Sequence, residues 1–243
     1  MAAVTALGVT FDTTTGSHTV TATPAINDLI VIVCANTGIT AAPTVSDNNA
    51  DGLGAYTNIV GALKNTSTDK AFIFIRNDLV GSATSTVFTV TGASSTGGGL
   101  VVYNVTSMIR TGASASRQTA VLENQSSGTP TLTLASSCLT GNPTIGGIFS
   151  ERNPAGMTAP TNWTEDSSPS TDVGYGTPTT GLETVRRDSG FIGTAVTWGN
   201  STGALWGGVL IELDTSITSV SVGPFVVLAA DRSIVFPATG GVR

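Results

Sequence analysis

The chain has 243 residues, of which ten are basic and sixteen acidic, for a net charge of −6, and only 11% of residues are charged. Scattered basic residues in an acidic chain argue against a nucleic-acid partner, and no apolar run approaches the ~20 residues that a membrane helix requires. A core of this size needs no staples, so Cys34 and Cys138 read as small unpaired hydrophobes, and no metal-type cysteine spacing occurs.

A surface of Thr, Ser, Gly and Ala with few long charged side chains suits a protein that packs against copies of itself or sits on a larger assembly. The segment Met1-Ala2-Ala3-Val4-Thr5 lacks the basic and apolar regions of a secretory signal. In chain order, Val4 to Phe11 and Ser17 to Thr23 alternate around Asp12-Thr13-Thr14-Thr15-Gly16 and read as a first hairpin. The run Leu29-Ile30-Val31-Ile32-Val33-Cys34 is uninterrupted, short and β-branched, the pattern of a strand buried on both faces.

A turn-rich edge at Thr44 to Asn49 leads to a strand at Tyr56 to Leu63, and further strands follow at 70–76, 85–91 and 100–105. The glycines at 97–99 precede no Lys-Ser/Thr and no helix, so a phosphate cradle is not expected. Shorter strands are expected at 117–122, 129–135 and 143–149, and a Pro/Gly-rich loop region runs from 150 to 180. Segments 182–187, 195–198 and 204–213 close the domain, the last two joined by Asn200-Ser201-Thr202-Gly203 as a hairpin turn. About a dozen short strands without helical period predict an all-β fold, an antiparallel β-sandwich of jelly-roll type over 1–213.

Residues 214–243 change character and predict an extended C-terminal arm, whose apolar positions Phe225, Val226, Val227, Leu228, Ile234, Val235 and Phe236 suit strand addition to a neighbour. An extra strand folding back on its own domain is the alternative.

Catalytic chemistry finds little support. The single histidine, His18, sits in an alternating strand among threonines and reads as exposed, and a hydrolytic triad needs a base. Glu165, Asp166, Asp172 and Glu183 offer carboxylates for a glycosidase, although adjacent acids on a loop are ordinarily solvated surface. Asp47, Asn48, Asn49 and Asp51 have the composition of a calcium loop without its spacing, so an Asx-rich turn is favoured. Trp163 and Tyr175, among Pro and Gly, suit stacking on a sugar ring, whereas Trp198 and Trp206 fall in strands and read as core or lip. No catalytic residue, cofactor or metal is assigned.

The run from Asp28 to Val33 precedes Val45-Ser46-Asp47-Asn48 and then Tyr56, Arg76-Asn77, Leu100 to Val105, Pro160-Thr161-Asn162-Trp163-Thr164 and Ala204 to Leu213. Over roughly residues 15–213 this order resembles a group of jelly-roll proteins of tailed bacteriophages and bacteria in which G-D-L-I-V-V, V-S-D-s-x-G-N-x-Y and G-W-T stretches recur. Asn27 stands where the first glycine usually is, and Asp51-Gly52-Leu53-Gly54 lengthens the turn before Tyr56. The resemblance implies a non-enzymatic virion protein, assembled in the host cytoplasm. Its expected role is capsid decoration, binding capsid or tail proteins as a homo-oligomer, with a trimer favoured. The alternative is a tail- or fibre-associated module that binds a glycan receptor.

Overall fold

The computed structural model describes residues 1–12, 16–39, 41–52, 54–64, 69–92, 97–126, 128–150, 158–166, 173–175, 180–199 and 205–216. The strands of the first half are β1 (Val4–Asp12), β2 (Ser17–Ala22), β3 (Leu29–Thr37), β4 (Thr44–Asp47), β5 (Tyr56–Leu63), β6 (Lys70–Arg76), β7 (Thr86–Thr91) and β8 (Gly97–Val105). A 3₁₀ turn at Gly112–Ala115 leads to β9 (Ser116–Gln125), β10 (Thr131–Thr133), β11 (Thr144–Ser150), β12 (Thr164–Glu165), β13 (Val173–Tyr175), β14 (Thr180–Arg187), β15 (Ala195–Thr197) and β16 (Trp206–Leu213). The fold is all-β with antiparallel sheets, as the sequence predicts. The expected arm residues 225–228 and 234–236 lie outside the described residues.

Among the described residues four sheets stack in layers. Two large sheets, ordered β1-β8-β3-β6-β5 and β12-β14-β11-β16-β9, meet at a core built from Val31, Val33, Ile73, Val101, Ile145, Phe149, Val209 and Ile211. The small sheet β2-β7-β4 covers the outer face of the first through Ile30, Ile32, Phe72, Phe74 and Phe88. The pair β10-β15 covers the outer face of the second through Ile148, Leu132, Val196 and Trp198.

This layering explains the uninterrupted run of β3. Odd positions of β3 face the second large sheet and even positions face the small one, so Leu29 to Ala35 are all fully buried. Burial of each large apolar side chain contributes about 1.5–3 kcal/mol. Its hydrogen-bonded neighbours are β6 and β8, at 70–75 and 97–105. Across the core β3 meets β11 and β14, while β16 of the same sheet packs against β5 and β6.

The two halves share one pairing scheme. If β9 is counted as a first strand, the order β1-β8-β3-β6-β5 becomes β9-β16-β11-β14 with β12 and β13 together in the place of β5, and β2-β7 becomes β10-β15. The bridge Thr158↔Gly199 stands where β4 meets β7. Val31 lies between Tyr103 and Ile75, and Ile145 lies between Ile211 and Arg186. The match extends to polar detail: Asn104 Nδ2 donates to Asp28 Oδ2, and at the equivalent positions, with acid and amide exchanged, Asn142 Nδ2 donates to Glu212 Oε1 at 2.8 Å. Contacts of β1 with β13 and of β5 with β9 are exchanged when the halves are exchanged, as an approximate two-fold axis requires.

Three local expectations are corrected. The 4–11 and 17–23 segments form no hairpin, because β1 pairs with β8 and β2 with β7, in different sheets. The 195–198 and 204–213 segments likewise separate, β15 pairing with β10 and β16 with β11 and β9. In both places the flanking strands belong to different layers, and turn composition does not distinguish that arrangement from pairing within one sheet. His18 is buried, since period-two alternation puts it on the face of Val20, which the first large sheet covers.

Candidate functional site

Polar groups in this apolar stack are concentrated in a few clusters. At the end of β6, Arg76 is buried and lies 2.8 Å from Asp51 Oδ1, 3.3 Å from Asp47 Oδ2 and 3.2 Å from Asp78 Oδ1. The Tyr56 hydroxyl donates to Asp47 Oδ2 at 2.7 Å, and the Asn49 amide donates to Asp47 Oδ1 at 3.0 Å, the Asx turn expected there. A guanidinium thus occupies the centre where a calcium ion would have to sit. Among the described residues no group of three or more His, Cys, Asp or Glu side chains could hold a metal. Hydrogen bonding to Arg76 holds the Asp51 carboxyl below its ordinary value, and burial pushes the Tyr56 hydroxyl up, with the Asp47 charge adding to it. Gly54 is required here: a Cβ would lie 2.2 Å from Asp47 Oδ2.

Glu212, fully buried in β16, accepts from the Leu139 amide at 2.8 Å, from Asn142 Nδ2 at 2.8 Å, from Gln118 Nε2 at 2.5 Å and from Arg117. Burial alone would raise its pKa, but these donors outweigh burial and lower it.

The carboxylates considered for hydrolysis are not the solvated loop acids expected. Asp166 is buried, with Oδ1 2.9 Å from Arg186 Nε, and Glu183 is fully buried on β14. They cannot act as a pair. Arg186 and Glu183 differ by an odd number of residues along β14, and Glu183 shares the face of Val185, turned towards the β10-β15 layer, while Arg186 and its partner Asp166 face the core between the large sheets. Glu165 accepts from the Ala159 amide at 3.3 Å. Asp172 lies outside the described residues.

Trp163 is half-buried and makes an edge-on contact with Phe191, ring centroids 5.3 Å apart, and the Arg187 guanidinium lies 5.9 Å from the Phe191 ring. Trp163 precedes Thr164, which pairs with Arg186, whereas Tyr175 pairs with Thr180. Six residues of β14 between these pairing points put them roughly 20 Å apart, too far for one sugar ring. Phe191, not Tyr175, is therefore the aromatic companion of Trp163. It escapes a sequence reading because its neighbourhood, Gly190 to Gly193, has no strand pattern. Trp198 and Trp206 are core residues, and both cysteines are free and buried.

Compared with family models, curated proteins and solved structures, the chain matches none.

Proposed function

We propose that the chain is a non-enzymatic virion structural protein, a capsid decoration module that binds the capsid surface and self-associates. The observation that carries this reading is where the charge goes. Arg76, Arg117 and Arg186 are each engaged with carboxylates that tie strands or loops together, an investment in rigidity. Jelly-roll connectivity belongs to the same reading and is supported by the nested pairs β1·β8, β2·β7 and β3·β6 with the bridge Ser46↔Ala55 joining the ends of β4 and β5. Thr215, just before the 217–243 segment, borders a cleft of about 500 Å³ with Met1 and the exposed Ile109, an apolar setting for an arm that pairs with a neighbour. Truncation after Ser216 should abolish incorporation into particles while leaving the far-ultraviolet β signature intact. Full occupancy by the truncated protein would sink the arm's role. Light scattering on the purified full chain should return a trimer.

A second reading, a glycan-binding module of a tail or fibre, draws on the Trp163–Phe191 contact beside the exposed Ile192. Glycan binding by the intact protein should then fall at least about tenfold in Trp163→Ala. Binding that survives this change would remove the aromatic patch from consideration.

A further inference from the structure

Past the end of β16 the chain stays firmly held. The Asp214 amide donates to the Ala115 carbonyl at 2.8 Å, the Thr215 amide to Asn142 Oδ1 at 3.2 Å and the Ser216 amide to Asp214 Oδ1 at 2.9 Å. The Thr215 hydroxyl donates to the same Asn142 oxygen at 2.7 Å, and Arg110 Nε donates to the Ser216 carbonyl at 3.2 Å. Asn142 is itself fixed through its bond to Glu212. Chain segments beyond a last strand are poorly ordered unless tied down, so three successive bonded amides outside any ladder mark a built exit. The exit from the first half has the same start, the Thr106 amide donating to the Ala3 carbonyl as Asp214 does to Ala115.

This exit borders the cleft of about 500 Å³ at that end of the stack, whose wall is Met1, Ala2, Ser107, Ile109, Gly141 and Thr215, with no charged side chain among them. Ile109 is 55% exposed and is the chain neighbour of Arg110, which holds the Ser216 carbonyl. Apolar exposure continues past the rim. Leu139 and Ile192 are exposed, and their segments are joined by the Cys138 amide on the Gly193 carbonyl and the Gly190 amide on the Thr140 carbonyl. The Ser189 hydroxyl donates to Met1 Sδ at 3.2 Å, which ties these segments to the cleft. Contiguous exposed apolar surface of this kind marks a place that another segment or molecule covers.

We propose that the chain's own segment Phe225-Val226-Val227-Leu228 seats in this cleft and covers the apolar surface around it. The tether selects this occupant. Eight residues separate Ser216 from Phe225, a flexible reach of about 15–18 Å on average and about 30 Å at most, so the segment stays close to its pinned root. Such a tether sets an effective concentration in the ~millimolar range, far above that of a second copy in dilute solution. Charge agrees with the assignment. No charged residue occurs between Asp214 and Asp231, and the cleft wall is uncharged, so seating strips water from no ion. The fixed exit lowers the ordering cost further, since the first part of the connection is already immobile. An arm exchanged with a neighbour would make the same contact in the neighbour's cleft, so the inference goes beyond the decoration reading and does not depend on it.

The test is disulfide trapping in the full chain at about 1 µM, with Ile109→Cys and Val227→Cys introduced together and the product read on a denaturing, non-reducing gel. Cys34 and Cys138 are buried and stay in place. A bond within one chain, migrating as monomer, is expected. Phe11→Cys, exposed at the opposite end of β1, should trap Val227→Cys at least about tenfold less. Independently, alkylation of Ile109→Cys should become about tenfold faster when Phe225→Asp and Leu228→Asp expel the segment, as for a site freed from a closed form. Cross-linked dimers or larger species would assign the cleft to a second copy's arm, overturning the proposal while leaving the decoration reading intact. Trapping no better than at Phe11, or alkylation unchanged by the two aspartates, would also overturn it.

Discussion

Replacing Arg76 by methionine is expected to destabilise the folded chain by about 3–5 kcal/mol, because removal of one partner from a buried ionic cluster leaves the others uncompensated. Asp47 is 2% exposed and would face a thioether, with the Tyr56 hydroxyl and the Asn49 amide left as donors. Asp51 would keep its bond from the Gly81 amide. Methionine retains most of the bulk, so the loss is electrostatic. The triple variant Arg76→Met, Asp47→Asn, Asp51→Asn should recover a good part of the stability, since it removes the unpaired charges of the less exposed carboxylates and leaves only Asp78, whose side chain is exposed. The same residues predict a pH dependence. Asp51 has its pKa lowered in the folded chain, chiefly by its hydrogen bond from Arg76. A carboxyl lowered in this way contributes stability above its unfolded pKa, and that contribution is lost as pH falls through the folded value. Urea unfolding at about pH 7 and about pH 3 should therefore show the wild type losing more stability on acidification than Arg76→Met. Equal unfolding free energies for the two proteins at about pH 7 would contradict this account.

The core of the first half was legible because its signal is local. A short apolar run without period is sufficient to place Leu29 to Cys34 between two layers, and the strands at 70–76 and 100–105 share that character. The correspondence between the halves was not legible. The two halves keep pairing order and inward volume while changing residue type: Val33 corresponds to Gly147, Cys34 to Ile148 and Phe72 to Glu183. Backbone hydrogen bonds carry the register in both halves, so side chains are free to exchange provided the layers still fill. What remains visible is slight, such as Ala42-Pro43-Thr44 beside Ala159-Pro160-Thr161.

The candidate sites follow the same division. Trp163 could be singled out as an aromatic in a Pro/Gly-rich stretch, but Phe191 joins it only through the return of the chain past β14. Asp166 was visible as an acid, whereas its companions Tyr103 and Arg186 sit in strands where an isolated polar residue carries no signal of its own. Only the comparison with Ile211 and Ile75 shows that these positions depart from a pattern.

The junction between the halves also gives the second large effect. Gly207 lies where β16 crosses the end of β5, and a Cβ there would sit 2.3 Å from the Leu63 carbonyl oxygen, 2.8 Å from its carbon and 3.1 Å from the Lys64 nitrogen. All three are backbone atoms, so no rotamer change relieves the overlap. The Leu63 amide is held at 3.0 Å by Glu123 of β9, and Lys64 is paired with Asp69 at 2.8 Å, which limits retreat of that backbone. Gly207→Val should therefore destabilise the chain by about 3 kcal/mol or more, at or above the upper end of ordinary overpacking. For a chain of this length that corresponds to a fall in Tm of roughly 6–12 °C. Gly128→Ala is the matched control, because a Cβ at Gly128 meets nothing within 4 Å. The discriminating readout is where the damage falls. Because the overlap forces β5 away from β16, amide exchange should rise along β5 and β9, which meet at that edge of the junction, before it rises in β2 and β7. Uniform loss of protection, or a Tm within the range of the Gly128→Ala control, would show that the halves do not depend on this close approach.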